Sequence, residues 1–106
     1  MIILEFSVVP VGTGSTSVSE YVAKACKVIE SSGARYMITP MGTVIEADSV
    51  EKALDIVRKV HEAVFEAGAK RVITTIKIDD RRDKERRMED KVEKLKEMGV
   101  LTHRGL

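Results

Sequence analysis

The sequence predicts an α+β fold of order β-α-β-β-α-β, followed by one further helix, on three observations. Two β-rich stretches, 2–10 and 70–79, each alternate so that one face is apolar. Two longer segments between them repeat apolar residues at helical spacing and stop at Gly33 and Gly68. The stretch ESSGARY (30–36) also echoes EAGAKRV (66–72): each ends a helix, turns at Gly-Ala and enters a strand on a basic residue. Two βαβ halves related in this way make the ferredoxin-like split βαβ unit. The expected core is a four-stranded antiparallel sheet carrying the two main helices on one face.

Each element has its own signal. In the first strand, 2–10, Ile2, Leu4, Phe6 and Val8 form the apolar face, and Ile3, Glu5, Ser7 and Val9 a mixed one. VGTGSTS reads as a loop. Ser17 with Glu20 fits a capping box, and Val18, Val22, Ala25, Cys26 and Ile29 supply a buried helical stripe. Residues 35–39 and 43–47 are short strands around the Pro40-Met41-Gly42 turn, so they form a hairpin. Asp48 with Glu51 reads as the cap of the next helix, whose core face is Val50, Ala53, Leu54, Val57, Val60 and Val64. In strand 70–79 the apolar face is Val72, Thr74, Ile76 and Ile78, and the mixed face is Arg71, Ile73, Thr75, Lys77 and Asp79. A very highly charged helix is expected at 83–98, with Met88, Val92, Leu95 and Met98 as its apolar stripe. The i,i+4 pairs Asp83/Arg87, Arg86/Asp90 and Asp90/Lys94 support it as an outer, solvated helix. The 106 residues therefore read as one domain, with a core at about 1–80 and a loose tail at 99–106.

Composition narrows the function. The net charge of +1 gives no general attraction to nucleic acid or to an anionic membrane. The single Cys26 excludes an internal disulfide and is compatible with a reducing compartment. With no visible signal peptide and no apolar run of transmembrane length, a cytoplasmic protein is expected. The chain has neither Asn nor Gln, while charged residues reach 33%. That pattern fits a protein from a hot environment.

No catalytic or metal constellation emerges. GTGS (12–15) precedes a helix N-terminus, where free N–H groups attract anions, but it completes no nucleotide fingerprint and reads first as a flexible loop. His61 and His103 have no second ligand at zinc spacing. Asp79, Asp80 and Asp83 suit the end of a strand and the start of a helix better than a divalent cation. Cys26 reads as a core thiol. The run Arg81, Arg82, Arg86 and Arg87 reads as a solvated helix face rather than a phosphate site. Acylphosphatases on this fold rely on an Arg and an Asn, and this chain has no Asn. No enzyme, cofactor or metal is expected.

The sheet face away from the helices is too apolar for plain solvent surface and too polar for plain core. Sheet-on-sheet packing against a second copy resolves this, giving a homodimer or homotetramer. Glu5 and Lys77 lie on neighbouring strands and can form an ion pair that sets register, or support a ligand.

Three stretches, EFSVVPVGTGSTSVSEYV, SSGARYMITPMGTVIEAD and GAKRVITTIKIDDRRD, resemble the small thiamine-binding-protein-like family over about residues 1–98. The resemblance implies a ferredoxin-like fold, dimers and tetramers through the sheets, and a ligand such as thiamine or its hydroxymethylpyrimidine portion. It also implies a reason for the polar hairpin. Glu46 would accept from a pyrimidine amine, Thr39 and Thr43 would supply hydroxyls, Met41 would pack on the ring, and Ser7 would complete the set. Simple alternation does not bring all five together: with Thr39 and Thr43 on the open face, Glu46 falls on the helix face unless the strand bulges. The resulting expectation is a non-catalytic small-molecule-binding protein. The alternative is a structural or regulatory assembly protein without a ligand of its own.

Overall fold

The computed structural model describes residues 1–106. The elements run β1 (Ile2–Pro10), α1 (Ser19–Ser31), β2 (Tyr36–Thr39), β3 (Gly42–Ala47), α2 (Val50–Glu66), β4 (Val72–Asp80) and α3 (Met88–Glu97). The strands form one antiparallel sheet of order β2-β3-β1-β4. This is the ferredoxin-like arrangement that the two related halves predict, with an additional C-terminal helix.

Register sorts every strand residue onto a face. Leu4 lies opposite Ile45 and Ile78, and Phe6 opposite Thr43 and Ile76. Cross-strand partners share a face, so these residues form the helix side. Leu4, Phe6 and Ile45 are buried there against Ala25 and Ile29 of α1 and Ala53, Val57, Val60 and Val64 of α2. The spacing of the α2 residues puts them on one stripe. Each Val, Leu, Ile or Phe side chain buried so fully contributes about 1.5–3 kcal/mol. Gly33 and Gly68 both take positive φ at the ends of the main helices, as the Gly-Ala echo implies.

Several local expectations shift. Helix α1 begins at Ser19, and its N-cap, Val18, makes no side-chain cap. The Ser17 hydroxyl instead meets that of Ser19 at 3.4 Å, so the Ser17–Glu20 box does not form. Ser49 rather than Asp48 caps α2, accepting from the Lys52 N–H at 3.2 Å, while Asp48 pairs with the Lys52 ammonium. Leu54 is largely exposed because the covered stripe of α2 is narrower than its apolar content.

The charged helix is also shorter than expected. Residues 81–87 are not helical. Asp80 holds Arg82, and Asp83 holds Arg81. An Asp90 oxygen accepts from the Arg87 N–H and fixes the helix start just beyond. The expected Asp83/Arg87 and Arg86/Asp90 pairs therefore lie outside the helix, and Lys96–Glu93 is the pair formed within it. No helix is long and apolar enough to cross a membrane.

Candidate functional site

An apolar cavity of about 220 Å³ opens between α1, the end of β1 and the β2–β3 turn. Its walls include Val18 at the N-cap of α1, Val22 and Cys26 of α1, Phe6 and Val8 of β1, and Ile38 of β2. It exists because the first turns of α1 stand off the sheet: Ala25 and Ile29 are buried, but Val22 is not. Ser7, Thr39, Met41 and Thr43 all line it.

Their situations differ. Thr39 closes the hairpin. Its hydroxyl donates to the Gly42 carbonyl at 2.9 Å and accepts from the Gly42 and Met41 N–H groups at 3.2 and 3.3 Å. The turn has no residue of positive φ, so it is not the primed turn favoured in two-residue hairpins, and the Thr39 hydroxyl fastens it instead. Met41 is 87% exposed at the mouth. Thr43 is only 8% exposed, lies opposite Phe6 on the helix side, and makes no side-chain hydrogen bond within the chain. Ser7 lies opposite Thr75, on the open face.

Glu46 is elsewhere. Register sets Glu46 opposite Ile3 on the open face, while Thr43 is on the helix side. Thr39 pairs with Gly42 and Met37 with Val44, which puts Thr39 on the open face by alternation. The expected parity is thus reversed for Thr43 and Glu46, because β3 starts one residue earlier than Thr43. Glu46 is the most buried charged residue, at 5% exposure. Arg35 Nη1 donates to its two oxygens at 3.2 and 3.0 Å, and the Met88 N–H donates to Oε1 at 2.6 Å. The other arm of Arg35 bonds Glu89 at 3.0 Å. This contact raises the Arg35 pKa and holds the Glu89 carboxyl below its ordinary range. The cluster carries α3 on the open face. Its one sequence signal is the placing of Arg35 and Glu46 at matching ends of the hairpin.

Glu5 and Lys77 face each other in register, but no ion pair joins them. His61 Nδ1 lies 2.6 Å from the Thr74 hydroxyl, with its ring edge-on to Phe65. Asp79, Asp80 and Asp83 each have a cationic partner of their own, Lys91, Arg82 and Arg81. Those contacts with Arg82 and Arg81 keep Asp80 and Asp83 below the usual carboxylate range.

The model of the thiamine-binding protein family matches residues 4–96. The chain belongs to this family. A UPF0045 protein of Methanothermobacter thermautotrophicus is 50% identical over 97 residues, which span 92% of this chain and 98% of the relative. A UPF0045 protein of Bacillus subtilis is 41% identical over 88% of this chain and 92% of its own. Among solved structures, a hypothetical protein of Methanocaldococcus jannaschii superposes with a TM-score of 0.78 at 36% identity, covering 94% of this chain and 97% of that one. A Thermotoga maritima protein, whose description names thiamine biosynthesis/salvage, superposes at 0.72 with 29% identity over 88% and 96% of the two chains. The match to the thiamine-binding protein family takes in the whole hairpin, the cavity and most of α3.

Proposed function

We propose that this chain is a non-catalytic binding protein for a pyrimidine-type ligand, thiamine or its hydroxymethylpyrimidine portion, assembled as a homo-oligomer through its open sheet face. The observation that carries the ligand is Thr43, a residue only 8% exposed in the wall of an apolar cavity, whose hydroxyl makes no hydrogen bond within the chain and stays accessible to a ligand. A hydroxyl held in an apolar wall is free to bond a ligand's polar atom, a contribution of about 1 kcal/mol. Drug-sized sites run to roughly 300–1,000 Å³. A cavity of about 220 Å³ suits one ring, leaving any second ring at the mouth beside Met41. The family name and the description of the Thermotoga maritima neighbour support a ligand of this class. Ser7, Thr39, Met41 and Thr43 line the cavity, and this reading gives the ligand contacts to Thr43 and Met41, because the Ser7 and Thr39 side chains belong to the open face. Glu46 has the separate work of holding α3, and Glu5 and Lys77 belong to the open face.

Assembly rests on that open face. Val9, Met37 and Ile73 are 45%, 48% and 49% exposed there, a quantity of apolar surface that a second sheet would cover.

Calorimetric titration with hydroxymethylpyrimidine and, separately, thiamine tests the ligand. Saturable heat is expected with both. Thr43→Val should weaken binding about tenfold, the equivalent of one hydrogen bond. Equal affinity in that variant would remove Thr43 from the site. No heat at millimolar ligand would favour the assembly protein without a ligand. Light scattering on Ile73→Glu, expected to lower the oligomer mass, tests the interface.

A further inference from the structure

We propose that a second site, the cleft between the end of β4 and α3, binds the phosphate groups of a small molecule. The cleft measures about 420 Å³. Four cationic side chains line it, Arg81, Arg86, Lys91 and Lys94, against two carboxylates, Asp79 and Asp90. Both carboxylates are engaged by the chain itself. Asp79 holds the Lys91 ammonium, and an Asp90 oxygen accepts the Arg87 N–H at 2.9 Å. Arg81 is paired with Asp83. Arg86 and Lys94 are left without an acidic partner, and Arg86 is partly buried.

The loop conformation creates this arrangement. Were residues 81–87 helical, Arg86 would meet Asp90 one turn on and the charges would cancel along a solvated face. Instead the loop turns Asp90 back to cap α3 and leaves Arg86 lining the cleft without an acidic partner. A partly desolvated arginine without a counterion is unfavourable. Its planar fork matches a phosphate, and the lysines add point charges around it. The chain's net charge of only +1 and the local extent of the cleft favour a small anion over nucleic acid.

This site is separate from the pyrimidine cavity. The cleft is floored by Ile3, on the open face opposite Asp79. The cavity meets β1 from Phe6, three residues further on, roughly 10 Å at strand spacing and on the opposite face of the sheet.

The shared chemistry is a diphosphate, free or carried by a nucleotide. The test titrates the intact chain with pyrophosphate and with ADP, read by calorimetry and by amide NMR shifts. The variants are Arg86→Gln/Lys94→Gln and, as a charge-matched control on α1, Lys24→Gln/Lys27→Gln. Saturable binding with shifts confined to residues 81–94 is expected. The Arg86/Lys94 variant should bind at least tenfold more weakly, while the control should match the parent. Equal affinity for the two ligands would identify free diphosphate as sufficient. Tighter ADP would add the nucleoside, packed toward Ile3. No saturation with either, or equal weakening in both variants, would overturn the site. Hydroxymethylpyrimidine binding in the Arg86/Lys94 variant should be unchanged, which separates this failure from failure at the cavity.

Discussion

The Met88 N–H donates to Glu46 Oε1 at 2.6 Å, joining the first residue of α3 to β3 across 42 positions of sequence. A carboxylate at a helix N-terminus meets free N–H groups and the positive end of the helix dipole. Helix α3 has no buried residue of its own. Its attachment therefore depends on polar contacts: Glu46, the Arg35 guanidinium that bridges Glu46 to Glu89, and the Lys91 ammonium on Asp79 of β4.

Removing that carboxylate should release α3 selectively. In Glu46→Ala the Met88 N–H loses a charged acceptor, a contribution on the order of 2 kcal/mol. Amide exchange in residues 88–97 should accelerate while α2 stays protected. Pyrimidine binding at the cavity should persist, because Glu46 does not line it. Uniform acceleration through α2 would show that Glu46 supports the whole core rather than one helix.

The same attachment should respond to acid. The Arg35 contact lowers the Glu89 pKa from its ordinary 4.5. The folded chain thus favours the ionised carboxylate more than the unfolded chain does. That contribution is complete above pH 4.5 and is lost as pH falls through the lowered folded value. Protection of α3 amides should fall in acid below pH 4.5, before the sheet unfolds, and Glu89→Gln should remove this acid-dependent step. The contribution is modest because Glu89 and Arg35 are 40% and 46% exposed and screened by solvent. An identical acid profile in Glu89→Gln would assign the step to other carboxylates.

Much of the fold was legible because burial leaves a periodic mark. Ile2, Leu4 and Phe6 alternate, Ala53, Val57, Val60 and Val64 keep helical spacing, and the echoed Gly33 and Gly68 reveal the two halves. The candidate site was legible only in part. Ser7, Thr39, Met41 and Thr43 do gather at one cavity, but the facing of Thr43 and Glu46 turns on where β3 begins, at Gly42 rather than Thr43. A one-residue difference in a strand exchanges its faces. The i,i+4 charge pattern predicts helix from residue 83, but residues 83–87 are loop. Asp80–Arg82 and Arg81–Asp83 contacts satisfy those charges locally instead. The Glu46–Met88 contact leaves no periodic trace, since one partner is a backbone N–H.

Gly42 is required by proximity. A Cβ there would lie 2.8 Å from the Phe6 carbonyl oxygen, and a backbone atom cannot rotate away. Gly42→Ala should push β3 from β1 next to the cavity, destabilising by about 1–3 kcal/mol. It should also weaken pyrimidine binding more than its loss of stability explains. Chemical denaturation with parallel calorimetry checks both effects. An unchanged midpoint would mean that the hairpin yields freely.

The absence of Asn and Gln, beside a charged content of 33%, predicts thermal resistance. Charged side chains here form local sets: Asp55 holds both Arg58 and Lys59, and Arg35 joins Glu46 to Glu89. The Asp55 carboxyl is held low by Arg58 first and then Lys59. Such networks strengthen relative to desolvation as temperature rises, whereas isolated pairs contribute little at room temperature. Scanning calorimetry should give a Tm above about 65 °C, beyond the usual mesophile range. Asp55→Ala, which strips two partners at once, should lower Tm more at low salt than at 1 M, where the Debye length is about 3 Å. A Tm below about 65 °C would mean that the missing amides reflect chance composition rather than adaptation to heat.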